Sequence, residues 1–198
     1  MYNMTFKGNH KKKIVFFASG NGTNVENILK YFKKNSRVSF LKVFTNNSKA
    51  LVLKRILPFG IESRCFNNIE WKEDSIFKEL KLLNPDLIVL AGFLLKIPTS
   101  IINYFQNKII NIHPALLPNY GGKGMYGINV HKAVKMNNEK KSGITIHYVD
   151  DSYDTGKIIF QKEVKISELD SVEEISNKVH NLELEHFPKV IDLILFKV

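Results

Sequence analysis

Residues 14–19 read Ile-Val-Phe-Phe-Ala-Ser, and residues 20–24 read Gly-Asn-Gly-Thr-Asn. The fold follows from how this junction is read. A short uncharged run suits a strand covered on both faces. The Gly/Asn loop then opens a helix from Val25 to Lys33, with Val25, Ile28, Leu29 and Phe32 on one face. Outward from this unit the alternation repeats. Strands are expected at Ser39–Thr45, Ile61–Cys65 and Leu87–Ala91. Helices are expected at Lys49–Leu57, closed by Pro58 and Gly60, and at Trp71–Leu83 before the turn Asn84-Pro85-Asp86. Strand–helix alternation of this kind builds a parallel sheet with helices on both faces.

The second half changes character. Ile109–Ile112 is a brief strand that runs into His113 and Pro114, and a loop with four glycines follows to Gly127. Asn129–Met136 reads as a helix, and Gly143–Val149 and Lys157–Ile166 as strands joined by an acidic loop. A final helix spans about Val172–Phe196, opened by a capping box of Ser171 and Glu174. Pro188 is expected to kink or break it. The expected architecture is one α/β domain over residues 1–198. Its sheet is Rossmann-like and mostly parallel, with antiparallel strands in the C-terminal half. Residues 1–13 are expected to form a basic, flexible tail.

Composition sets the outer bounds. With 198 residues, 44% hydrophobic and 24% charged, the chain can bury a core without staples. No apolar run approaches the roughly 20 residues needed to span a bilayer, so no membrane role is expected. A single cysteine, Cys65, excludes a disulfide scaffold and a cysteine zinc site, and it reads as a core residue of an apolar strand. With no secretory signal evident, the reducing cytoplasm is the expected compartment. The formal charge of +10 is carried by 26 lysines and three arginines against 19 acids, with the excess in the first third. Such a charge suits either a nucleic acid or a small anionic substrate. It also follows from AT-rich codons, since the chain holds 20 asparagines.

Three sites carry chemistry. In Ser19-Gly20-Asn21-Gly22-Thr23-Asn24 a strand enters and a helix leaves, so its amides suit a single phosphate. The third glycine of a dinucleotide fingerprint is missing, and so is a Gly-Lys-Ser/Thr. The bland alternative is a tight turn with an asparagine cap. At the end of its strand, Asn111 and His113 point the same way. An amide donor and an imidazole there suit oxyanion stabilisation and proton transfer. The alternative is a buried histidine satisfied by a carbonyl. The loop Asp150–Gly156 offers aspartates, which are either turn formers or a partner that raises the pKa of His113. His147 is a candidate for the same pocket, or a structural histidine.

Taken together and in this order, the three sites resemble the phosphoribosylglycinamide formyltransferase family. The resemblance runs from residue 14 to about 190. It is carried by FFASGNGTN (16–24), VLAGFLLKIP (89–98), IINIHPALLP (109–118), GITIHYVDDSYDTGKII (143–159) and LELEHFP (182–188). It implies the formyltransferase fold and transfer of a formyl group from 10-formyltetrahydrofolate to the amine of glycinamide ribonucleotide in purine synthesis. No metal is required. Asn111, His113 and Asp154 match the family's catalytic Asn, His and Asp. By that analogy Asn111 donates to the oxyanion, and Asp154 holds His113 protonated. Asn21, Gly22, Thr23 and Asn24 would take the phosphate, and Glu183 would contact the ribonucleotide. The folate would lie against Phe93, Leu94, Leu95, Lys96 and Ile97, and against Val149, Asp150, Asp151 and Tyr153. Leu95 stands where many relatives carry arginine, and residues 121–127 are longer and richer in glycine than the common form.

Two other readings are weaker. Another 10-formyltetrahydrofolate enzyme, a deformylase or a tRNA formyltransferase, is expected to carry a further domain. A nucleic-acid-binding module would interleave aromatics with the lysines on one surface, whereas Phe16, Phe17, Phe40 and Phe44 read as core. The expected partners are therefore the two small substrates and no nucleic acid, with the chain a monomer or a homodimer.

Overall fold

The computed structural model describes residues 10–196. In chain order the elements are β1 (Lys12–Phe17), α1 (Thr23–Phe32), β2 (Val38–Thr45), α2 (Val52–Ile56), β3 (Glu62–Cys65), α3 (Asn68–Lys72), α4 (Ser75–Leu83), β4 (Leu87–Leu90), α5 (Thr99–Tyr104), β5 (Ile109–His113), α6 (Ile128–Met136), β6 (Lys141–Tyr148), β7 (Ile158–Lys165) and α7 (Val172–Phe196). The strands form one sheet in the order β3-β2-β1-β4-β5-β6-β7. The pairings from β3 to β5 are parallel, and β6 and β7 add antiparallel. This is the expected fold class.

β1 shows why the sheet is covered on both sides. Ile14 and Phe16 face a core shared with α1 and α7, while Val15 and Phe17 face a second core shared with α4 and α5. All four are 1% exposed or less. Each such side chain contributes about 1.5–3 kcal/mol on burial. Strand order also reverses at β1. The chain leaves β1 toward β2 on one side, and β4 returns on the other. Loops leaving β1 and β4 diverge there and open a crevice at the carboxyl ends, where ligands bind in open α/β sheets.

Several expectations change. The strand assigned from Ile14 begins at Lys12, which shortens the proposed tail, and residues 1–9 of that tail lie outside the described residues. The helix expected over Lys49–Leu57 is confined to α2. Asn47 holds the preceding residues in turns by accepting from Lys49 N at 3.0 Å and Ala50 N, also at 3.0 Å, and Leu57–Phe59 close α2 as a 3-10 turn. The helix expected over Trp71–Leu83 is two helices. Asn67 opens α3 with a capping box, and Asp74, in the left-handed region at φ 58°, separates α3 from α4. Arg64 joins the two by donating to Glu70 at 3.0 Å and Ser75 at 2.9 Å and by pairing with Glu79. Helix α5, Thr99–Tyr104, follows Pro98 in a stretch to which the sequence pattern assigns no element. Cys65 is exposed rather than core, because β3 is an edge strand.

Pro188 does not interrupt α7. Proline leaves the carbonyl four residues earlier without its helical partner. Here that carbonyl, on Leu184, accepts instead from Asn27 Nδ2 of α1 at 2.7 Å.

Candidate active site

The crevice holds a cavity of about 600 Å³. The loop after β1, the loop after β4, the end of β5, the glycine-rich stretch 122–127 and one face of α7 line it. The three sites read from the sequence therefore open onto one volume.

Asn21, Gly22, Thr23 and Asn24 form the end where α1 begins. Gly22 stands at φ 77°, and a Cβ there would lie 2.5 Å from Val52 Cβ, so α2 leaves room only for glycine. No side chain caps α1, so the asparagine-cap alternative does not hold and the first-turn amides face the cavity end uncapped. Arg55 of α2 grips the loop from behind. Its Nε donates to Asn21 O at 2.9 Å and its Nη2 to Asn21 Oδ1 at 3.0 Å, which occupies the oxygens that would repel an anion. Lys30, and after it Arg55, also pair with Glu26, the acid in the first turn, and hold its carboxyl below the usual range.

At the end of β5, Asn111 and His113 share a face, as strand parity requires. His113 is 3% exposed. Its Nε2 lies 2.7 Å from Tyr120 O. A carbonyl only accepts, so the ring proton is on Nε2, and Nδ1 faces Asp154 Oδ2 at 3.6 Å. Tyr120 and Asp154 both stand in the left-handed region, at φ 57° and 59°. Such backbone costs energy and persists where its surroundings fix it. The Tyr120 hydroxyl is fixed by Glu139 at 2.7 Å and Asn137 at 2.9 Å, and Asp154 Oδ2 accepts from Gly122 N at 2.9 Å.

Burial is the largest influence on His113 and pulls its pKa below the ordinary value. The Asp154 carboxylate and the Tyr120 carbonyl oppose this and lose. The direction runs against the expectation that Asp154 keeps His113 protonated, because burial favours the neutral imidazole. For Asp154 burial is again the largest influence and pushes upward, but His147, His113 and the Gly122 N–H together hold the carboxyl below its usual value.

His147 does not line the cavity. It lies behind the site at 2% exposure. Its Nδ1–H donates to Tyr148 O at 2.8 Å, so its Nε2 accepts from Asn111 Nδ2 at 3.2 Å. The other Asn111 hydrogen has only a long contact of 3.5 Å with Asp154 Oδ1.

On α7, Glu183 Oε2 accepts from Asn24 Nδ2 and His180 Nδ1, both at 2.9 Å. Asn24 is thus committed to Glu183 rather than free for an anion, and its Oδ1 is buried without a partner among the described residues. The hydrogen bond to Glu183 raises the pKa of His180 against the effect of burial. His180, Arg55, Tyr120 and His131 were not singled out from the sequence, and no spacing marks them.

The nine proposed folate contacts divide. Phe93, Leu94 and Tyr153 line the cavity, and the other six do not. Ile97 is 4% exposed in the core, and Leu95 and Val149 pack beside it. Lys96 is exposed, and its carbonyl accepts from Trp71 Nε1 at 3.3 Å. Asp150 accepts from Thr155 Oγ1 at 2.7 Å and Asp151 from Thr99 Oγ1 at 2.8 Å, so both shape the loop that presents Tyr153 and Asp154.

An uncapped helix N-terminus and, on the same cavity, an amide, an imidazole and a carboxylate suit acyl-type transfer to a nucleophile. The fold and site define a group-transfer enzyme of the α/β class. The chain belongs to the formyl transferase family, whose sequence pattern, described as "Formyl transferase", matches residues 12–191. It is 37% identical to the phosphoribosylglycinamide formyltransferase of Bacillus subtilis over 93% of this chain and 95% of that protein. It is 30% identical to the enzyme of that name from Escherichia coli, over 90% of this chain and 84% of that one. The crystal structure of phosphoribosylglycinamide formyltransferase from Bacillus halodurans superposes with a TM-score of 0.84 at 31% identity, covering 94% of this chain and 96% of that one.

Proposed function

We propose that this chain transfers the formyl group of 10-formyltetrahydrofolate to the amine of glycinamide ribonucleotide, giving formylglycinamide ribonucleotide and tetrahydrofolate. The observation that carries this reading is the opening of the uncapped α1 N-terminus and the Asn111–His113–Asp154 group onto one cavity. The phosphate is held by the first-turn amides of α1 and Thr23, with Arg55 keeping the Asn21 oxygens away from it. The apolar wall at Phe93, Leu94 and Tyr153 receives the folate ring system.

In the reaction, the glycyl amine attacks the formyl carbon and the formyl oxygen becomes an oxyanion. The loosely held Asn111 hydrogen donates to it. Resting neutral, His113 takes up the proton that the amine releases, at Nδ1 and beside Asp154. As imidazolium it is held between the Asp154 carboxylate and the Tyr120 carbonyl, and it stabilises the oxyanion. Collapse returns the proton to the departing folate nitrogen. Each positioned donor or acid of this kind contributes ~10²-fold or more to the rate.

An ultraviolet assay of 10-formyltetrahydrofolate loss, run with and without glycinamide ribonucleotide, tests the reading. Ribonucleotide-dependent loss supports it. Loss with release of formate in the absence of ribonucleotide, or no loss at all, refutes it.

A further inference from the structure

His131 of α6 has no part in the chemistry above, yet it lies in the cavity wall. It is 4% exposed, and its Nδ1 is buried with no hydrogen-bond partner among the described residues. Burying an imidazole nitrogen without a partner is destabilising. Such a cost in a ligand cavity calls for a ligand group that removes it.

The position of His131 narrows the choice. Helix α6 packs on α7, and His131 is near enough to feel the charge of Glu183, and that of His113 when it is protonated. It shares the cavity lining with Glu183, the acid hydrogen-bonded to Asn24, and with the reacting imidazole, and lies within electrostatic reach of both. A ribonucleotide anchored by its phosphate at α1, with its amine at His113, passes its ribose and glycinamide across this stretch. Burial, the largest influence, holds the ring neutral. A neutral imidazole offers one donor and one acceptor, which matches hydroxyl and amide groups and not a second phosphate.

We infer that His131 is a specificity-determining contact for the ribonucleotide, hydrogen-bonded to the uncharged polar part between its phosphate and its amine. The inference rests on the reaction proposed above. It assigns His131 to one substrate and not to the other.

Steady-state kinetics of His131→Phe and His131→Gln, with calorimetric titration of glycinamide ribonucleotide in the absence of folate, test it. Phe keeps the ring and removes both polar atoms, while Gln keeps a donor and an acceptor. The expected result for His131→Phe is a rise of about tenfold in KM and Kd for the ribonucleotide, as loss of one buried hydrogen bond gives. KM for 10-formyltetrahydrofolate stays within about twofold, and His131→Gln recovers part of the loss. A folded His131→Phe that binds the ribonucleotide like the parent overturns the inference. So does a loss shared equally by both substrates, or a Gln variant no better than Phe. A parent enzyme inert toward the ribonucleotide overturns the proposed reaction as well, whereas an active parent with an indifferent His131→Phe overturns this inference alone.

Discussion

Asn27→Ala removes the donor that replaces the amide missing at Pro188. The Leu184 carbonyl, half-buried where α7 crosses α1, then has no partner. An unsatisfied buried acceptor costs about 1–3 kcal/mol, and partial solvent access here favours the lower half, about 1–2 kcal/mol. For a chain of this size each kcal/mol moves the thermal midpoint by about 2–4 °C, so a fall of about 2–8 °C is expected in calorimetry. The mechanism is isolated by repeating the substitution in Pro188→Ala. There residue 188 regains its N–H and satisfies Leu184 within α7, so Asn27→Ala has less to lose. The expected coupling between the two sites is about 1 kcal/mol. Equal costs of Asn27→Ala in both backgrounds would show that Asn27 does not act through this carbonyl. Glu183 precedes Leu184 and Asn24 lies one turn before Asn27, so the same variant should also weaken ribonucleotide binding.

Gly22→Ala places a Cβ 2.5 Å from Val52 Cβ at φ 77°. The left-handed backbone alone costs about 1–2 kcal/mol. The expected outcome is a lower thermal midpoint and at least a tenfold rise in Kd for the ribonucleotide; an unchanged Kd would remove the anion site from this loop. Stability should also depend on pH. Burial holds His113 and His131 below the ordinary histidine value of about 6.5, so below that pH the unfolded chain binds protons that the native chain refuses. Their contribution is complete above about 6.5 and is lost as pH falls toward the folded-state values. His180, raised by Glu183, works oppositely: its contribution is present below about 6.5 and is lost as pH rises through its folded value. The thermal midpoint should therefore fall from pH 7.5 to 5.5, and fall less in His113→Asn. An equal fall in that variant would contradict the burial argument.

What the sequence disclosed was whatever is encoded locally. Ile14–Ser19 and Leu87–Ala91 are uniformly apolar because both sheet faces are covered. Asn111 and His113 meet because strand parity aligns them. What it hid depends on distant partners. Pro188 reads as a breaker because nothing nearby shows that Asn27, 161 positions earlier, supplies the missing donor. Trp71–Leu83 reads as one helix because a single left-handed Asp74 leaves no mark on the apolar period. Cys65 looks buried because edge position is a property of the assembled sheet. His131 is invisible because its significance is the lack of any partner. The neutral state of His113 needed the competition between burial and Asp154, which no motif contains.

The charge balance of the crevice bears on the proposed entry of an anionic substrate, because three carboxylates lie nearby. Each is compensated in its own way. Glu26, beside the α1 N-terminus, is paired with Arg55 and Lys30. Glu183 is satisfied by Asn24 and His180. Asp154 accepts from Gly122 N and lies near His113 and His147. Only Asp154 faces a side-chain partner that is neutral and beyond hydrogen-bond distance, because His113 rests neutral with Nδ1 3.6 Å away. Asp154 is therefore the carboxylate with electrostatic reason to draw a proton into the site, and His113 Nδ1 is the atom facing it. In the reaction proposed above, the amine that attacks the formyl carbon must shed a proton at that moment. Under that proposal, uptake at Nδ1 gives Asp154 a cationic partner as the oxyanion forms, so the stabilisation appears in the transition state rather than in the ground state.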